Sequence, residues 1–330
     1  MNKIFGLLLL FSFLFSPVFA VEENNEFSLD KPNYLLQNQL TFGNTHVWGA
    51  YNSNWGYSFD KNKTTDYEIN ALNIGVDSDF NKINTRVMFN YNPYSDRPIA
   101  QQLWADIYVQ SHHIPHHTIT IGNQRPPVGE EGGQSPYTLD FLQRSQIASN
   151  FGTVRKLGAS IKGDYEHIDY NIGVYSSDTY FQSFFPGMEF VGNVHLKNQT
   201  KYGNLKIGYS LDAGKRHENF CVNGVYFGYE YKKFAFDTEY MTAHNYNGPS
   251  GSLTQANASG FYTVAKYKIT PKVHLVAGYD QYTQSHHTRR YGIAGINYYI
   301  KGQALKTILN YCFSPDDNSH KLLFGFQILL

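Results

Sequence analysis

From residue 35 to the end, the chain alternates apolar and polar residues at every second position, in runs separated by turn-forming residues. Side chains of a strand point to opposite faces with period two, so each run predicts a strand with two unlike faces. In the last run, Leu322, Phe324, Phe326, Ile328 and Leu330 share one face and Leu323, Gly325, Gln327 and Leu329 the other. Residues 233–245 repeat the pattern, with Phe234, Phe236, Thr238, Tyr240 and Thr242 opposite Ala235, Asp237, Glu239 and Met241. About sixteen such runs extend from 35–50 to 320–330, which predicts an all-β fold, a transmembrane antiparallel β-barrel.

The connections support that reading. Tight turns at 81–83, 164–166, 200–203, 232, 270–272 and 301–303 alternate with longer segments at 51–67, 94–99, 125–153, 178–188, 215–219, 246–258, 284–289 and 315–319. Outer-membrane barrels place short turns on the periplasmic side and long loops outside. The longest connection, 125–153, contains Arg125-Pro126-Pro127, a glycine-rich stretch from Gly129 to Gly133, and Ser135-Pro136, which reads as a helix cap followed by proline at the first helical position. A loop that carries its own helix packs on something. It is expected to fold into the barrel and constrict the pore.

The N-terminus sets the compartment. Met1 to Ala20 has Lys3, an apolar run from Ile4 to Phe15 and a small-residue end at Val18-Phe19-Ala20, the pattern of a cleaved signal peptide. The expected organisation is 1–20 signal peptide, 21–34 N-terminal periplasmic leader and 35–330 barrel, in the bacterial outer membrane. Composition agrees: 27 Tyr and 24 Phe accompany a mean hydropathy of −0.43. Such a chain is apolar on one face of each strand and polar on the other.

Four histidines, His112, His113, His116 and His117, lie together in a predicted periplasmic turn and form a weak metal candidate, since no nearby thiol or carboxylate completes a ligand set. No metal or other cofactor is expected. Ser285 beside His286 and His287 supplies nucleophile and base types, but adjacent loop residues do not hold catalytic geometry, so the chain is not read as an enzyme. Cys221 and Cys312 fall on separate strands, and no nucleic-acid-binding basic stripe is visible.

At the long loop the sequence resembles the phosphate-selective porin O/P family. The resemblance rests on Ile119-Thr120-Ile121-Gly122-Asn123-Gln124-Arg125-Pro126-Pro127, on Asp140-Phe141-Leu142-Gln143-Arg144-Ser145, on Arg155-Lys156-Leu157-Gly158-Ala159 and on Tyr170-Asn171-Ile172-Gly173-Val174-Tyr175. Its specific part covers residues 117–177. The resemblance implies a homotrimer of sixteen-stranded barrels, an inward-folded third outer loop, and passive diffusion of small anionic solutes such as phosphate or polyphosphate. It also implies a row of pore-lining arginines with lysines around the constriction and inner mouth. The residues matched to these roles are Arg86, Arg125, Arg144, Arg155 and Lys156.

This chain departs from that pattern in charge. It has eight arginines, and loss of Lys3 with the signal peptide leaves 26 basic against 27 acidic side chains. Lys162, Lys197, Lys206, Lys266, Lys268 and Lys306 all fall on inward rows near the periplasmic end. They either form a positive mouth or serve as solvated rim residues, because inward Asp77, Asp79, Asp106, Asp169, Asp237, Glu239 and Asp280 oppose them. Three functions stay open: an anion-preferring porin whose partners are small anions and outer-membrane lipid, a general-diffusion porin, and a surface adhesin or structural barrel.

Overall fold

The computed structural model describes residues 40–59, 64–91, 104–177, 187–215, 218–246 and 257–330. Among them, sixteen antiparallel strands form one closed sheet: β2 (Thr45–Ser58), β3 (Thr65–Phe80), β4 (Ile83–Tyr91), β5 (Trp104–Ser111), β6 (His117–Gln124), β7 (Lys156–Asp164), β8 (Ile168–Ser176), β9 (Met188–Thr200), β10 (Gly203–Lys215), β11 (Asn219–Tyr231), β12 (Phe234–His244), β13 (Ala258–Thr270), β14 (Val273–Gln284), β15 (His287–Lys301), β16 (Leu305–Ser314) and β17 (Ser319–Leu329). Each pairs with its chain neighbours, and β17 closes the sheet on β2 from Lys321↔Ser58 to Leu329↔Ala50. Leu330 and Gly49 exchange backbone bonds of 3.1 and 2.8 Å at the seam. A short strand β1 (Leu40–Phe42) takes up the pairing of Thr45–Val47, below the end of β17. The expected sixteen-stranded barrel is present, and no helix among the described residues is long and apolar enough to cross a membrane.

The first strand differs from expectation. The 35–50 segment is broken at Gly43, whose φ of +62 lets the chain reverse between β1 and β2. The strand then runs on through Ser58, deep into the expected loop 51–67. Its inward residues Asn52, Asn54 and Ser58 are polar and buried, and Ser53, also buried, breaks the alternation at a shift of register against β3. Ser285 and His286 also shorten an expected loop: both have positive φ, the geometry of a two-residue hairpin turn between β14 and β15.

The two faces separate as the alternation requires. Ile74, Ile121, Leu196, Leu309 and Phe324 are exposed on the outside, whereas Leu323, Gln327, Glu239 and Asn297 are buried on the inside. Tyr209, Tyr231, Tyr240, Tyr267 and Tyr311 are exposed on the outer face, where interfacial aromatic residues belong.

The connection from β6 to β7 folds into the barrel. It contains helix α1 (Glu130–Gly133), a 3-10 turn at Pro136–Thr138 and helix α2 (Gln146–Phe151). The Ser135-Pro136 signal caps the 3-10 turn, and α2 is capped by Ser145, whose hydroxyl accepts from Ala148 N at 3.2 Å. Val128, Ile147 and Phe151 pack with Val191, Val222, Met241, Tyr246, Tyr262 and Tyr282 into a buried cluster inside the barrel. Farther along, Leu142 lies over Gly325 and Phe141 over Gly278: a Cβ at Gly325 would stand 1.9 Å from Leu142 Cδ2, and one at Gly278 2.8 Å from Phe141 Cε2. These glycines are sockets in the wall.

Overpacking a filled site costs about 1–3 kcal/mol. Gly325→Leu is therefore expected to leave a heat-modifiable, folded barrel but to lift Leu142 from the wall and expose the bond after Arg144 to trypsin. A loop as protease-resistant as that of the parent protein would refute the socket.

Candidate pore constriction

The loop is seated by wall side chains that bond its backbone. Glu239 on β12 accepts from Glu130 N at 2.7 Å, at the start of α1. Asp280 on β14 accepts from Gln146 N at 2.9 Å, at the start of α2. Helix N-termini carry unpaired N–H groups and partial positive charge, so each buried carboxylate meets donors it can satisfy. Between the helices, Asn297 donates to Asp140 O at 2.8 Å, and Asn310 accepts from Leu142 N at 2.9 Å. Gln327 donates to Tyr137 O at 3.0 Å, and Tyr137 reaches across to Asn73 on β3.

Lys306, expected at the inner mouth, belongs to this seat. It is 1% exposed and donates to Tyr137 O, Leu139 O and Gln303 Oε1 at 3.0, 3.1 and 2.7 Å. The anchors Asn73, Asn297, Asn310 and Gln327 were not singled out in the sequence. Their only signal is a polar residue on an inward row.

The arginines converge on one side of the lumen. Arg86 makes a two-point pair with Asp77 at 2.8 and 2.6 Å and lies over Trp48 and Tyr108. Arg155 pairs with Asp106 at 2.9 Å. Arg125 and Arg144 both donate to Gln134 O, and Arg144 also to Glu131 O. These two brace the loop as well as charging it. Burial lowers the Arg144 guanidinium to about 10, so it remains charged at neutral pH. Lys156 is buried and paired with Glu189.

At the end of the barrel that carries the short turns, Lys197, Lys206, Lys266 and Lys268 line one cavity of about 360 Å³ together with Tyr226, Glu230 and Asp237. Each has a carboxylate partner: Asp164 for Lys197 at 2.6 Å, Glu130 for Lys206 at 2.8 Å, Asp140 for Lys266 at 2.8 Å and Glu230 for Lys268 at 2.5 Å. Lys162 is also on the inward row, in register with Thr118 and Asn171. Burial opposes the charge on Glu130, but hydrogen bonding to His195 and the nearby Lys206 hold its carboxyl below the usual range. Burial moves Glu131 the other way, despite the Ser145 hydrogen bond.

The histidines of the 112–117 turn contact other groups. His112 contacts Thr118, His113 contacts Ser111, and His117 contacts Pro115 O and Tyr170, while His116 stacks on Tyr165. Among the described residues, no group of three or more His, Cys, Asp or Glu is placed to hold a metal ion. Cys221 and Cys312 are free thiols on β11 and β16.

Comparison with curated protein sequences gives no match. Solved structures with the same fold include the outer membrane channel DcaP of Acinetobacter baumannii, at 8% identity, TM-score 0.60, 87% of this chain and 97% of that one. OprB of Pseudomonas putida matches at 10% identity and TM-score 0.65 over 87% and 94%. Salmonella typhi OmpF, in complex with daunomycin, matches at 11% and 0.63 over 87% and 97%. The family model described as phosphate-selective porin O and P matches residues 41–210 and 204–323. With most of the barrel covered in this way, the chain belongs to the phosphate-selective porin O and P family: it is a porin of the bacterial outer membrane, a diffusion channel and not an enzyme.

Proposed function

We propose that this porin passes small solutes with a preference for anions, phosphate among them, through a pore narrowed by the 125–155 loop. The observation that carries the reading is the convergence of Arg86, Arg125, Arg144 and Arg155. Asp106 feels three of them at once, with Arg155 in direct contact and Arg125 and Arg86 close by. Asp77 and Asp106 pair directly with Arg86 and Arg155, and Arg125 and Arg144 instead donate to loop carbonyl oxygens. Fixed charge of one sign in a narrow, low-dielectric passage raises the local concentration of the opposite ion. The family's description as phosphate-selective agrees with this sign.

A general-diffusion pore is the second reading. It is favoured by the lysine-lined cavity, where every lysine already holds a carboxylate. Assembly as a homotrimer is supported by a similar fold in the trimer form of Vibrio cholerae OmpT, 11% identical with TM-score 0.59 over 87% of this chain and 99% of that one. Export would use the signal peptide at 1–20. N-terminal sequencing of the outer-membrane protein is expected to begin at Val21, and any start before Ala20 would refute that cleavage site.

Reversal potentials in a salt gradient test the preference. The parent channel is expected to favour chloride over potassium and to show saturable block by phosphate. The pair Arg86→Gln with Arg155→Gln is expected to lose the preference while the barrel still folds, because Arg125 and Arg144 continue to brace the loop. Glu230→Gln, which frees Lys268, is expected to shift selectivity further toward anions. A large, unselective, unblocked conductance in the parent protein would leave general diffusion as the function.

A further inference from the structure

His195 sits on the inward row of β9 with its side chain 6% exposed, and both its ring nitrogens face carboxylates. Nδ1 is 2.7 Å from Asp169 Oδ1 on β8, and Nε2 is 2.9 Å from Glu130 Oε2 on α1. Ionised carboxylates only accept, and a neutral imidazole has one N–H. Both contacts are therefore hydrogen bonds only when the ring carries both protons. A neutral ring would turn a bare nitrogen lone pair toward one of the two oxygens.

Which contact then fails is decided by the fold. Asp169 and His195 are register partners in adjacent strands, held by the backbone ladder. Glu130 belongs to a loop, and its place against β9 depends on side chains. The other groups around the ring do not replace the lost proton. Lys197 on β9 contacts Asp169 at 3.4 Å, Lys206 on β10 contacts Glu130 at 2.8 Å, and Tyr226 on β11 meets the ring edge-on while donating to Asp237. Glu239 on β12 accepts the Glu130 N–H at 2.7 Å.

We infer that His195 is a proton-operated latch on the constriction, adding a tie from β9 to α1 when charged and withdrawing it when neutral, so that Lys206 and Glu239 then hold α1 without it. The inference rests on the loop being the narrow part of the pore, but not on any ion preference. Raising the pH through the His195 titration removes the tie, so conductance changes in that direction of pH. Imidazole titrates in the physiological range, so the charge state of one wall side chain is passed to the loop.

The experiment combines bilayer conductance from about pH 5 to about pH 10 with nitrogen NMR of the histidine-labelled protein in detergent. In the parent protein the conductance is expected to step at the pH where His195 Nε2 loses its proton. His195→Gln is expected to lose the step and to hold the high-pH level throughout. Glu130→Gln, which leaves the wall untouched, is expected to lose it as well. A ring that is already neutral at the acid end, or a full step surviving in either variant, would overturn the latch. Because the readout is total conductance, a channel without anion preference would still show the step.

Discussion

In a hydrocarbon layer no water is present to satisfy a backbone N–H or C=O, so a sheet that crosses it must close on itself. The rest of this structure follows from that closure. The seam between β17 and β2, completed by Leu330 on Gly49 and by β1 on the first residues of β2, removes the last free edge. Closing sixteen strands leaves a lumen too wide for one layer of side chains to fill. The inward rows must then meet either water or another part of the chain, and the 125–155 loop is that other part. Its apolar residues build a second core against the inside of the wall, while the outer face remains available to lipid.

Filling a lumen with both charge signs imposes neutralisation. Arg86 with Asp77, Arg155 with Asp106, Lys156 with Glu189 and Lys266 with Asp140 are partly or fully withdrawn from water, where an unpaired charge is strongly unfavourable. The near balance of basic and acidic residues in the sequence is thus a consequence of packing, and net charge is a poor guide to what the pore prefers. Placement differs between the two groups: Arg125 and Arg144 donate to loop carbonyl oxygens, whereas each cavity lysine is offset by its own carboxylate.

Much of the barrel was legible because strand faces have period two and a membrane makes the two faces unlike. The parity of Glu239 and Met241 against Phe234 and Tyr240 came from alternation alone and agrees with the burial. The first strand departs from expectation where the polar, buried Ser53 interrupts the outward apolar row at a register shift and Gly43 reverses the chain. Lys306 was legible as inward but not as buried, because its partners are carbonyl oxygens of a loop 169 and 167 residues away in sequence. His195 gave no signal, since its meaning depends on Asp169 and Glu130 arriving on two other elements.

The loop itself was visible in the sequence, yet its seat was not, and the reason is physical. Most anchors bond loop backbone: Glu239 to Glu130 N, Asp280 to Gln146 N, Asn310 to Leu142 N, Asn297 to Asp140 O, and Lys306 and Gln327 to Tyr137 O. Backbone groups are the same at every residue, so the information that positions the loop is written in the strands that receive it. The glycines at 325 and 278 act likewise, since a missing side chain on the wall decides where Leu142 and Phe141 lie. Loop side chains not used as knobs or braces are then free to vary in charge without moving the constriction. A family of channels built this way would change its cargo through the loop while its barrel keeps the loop in place.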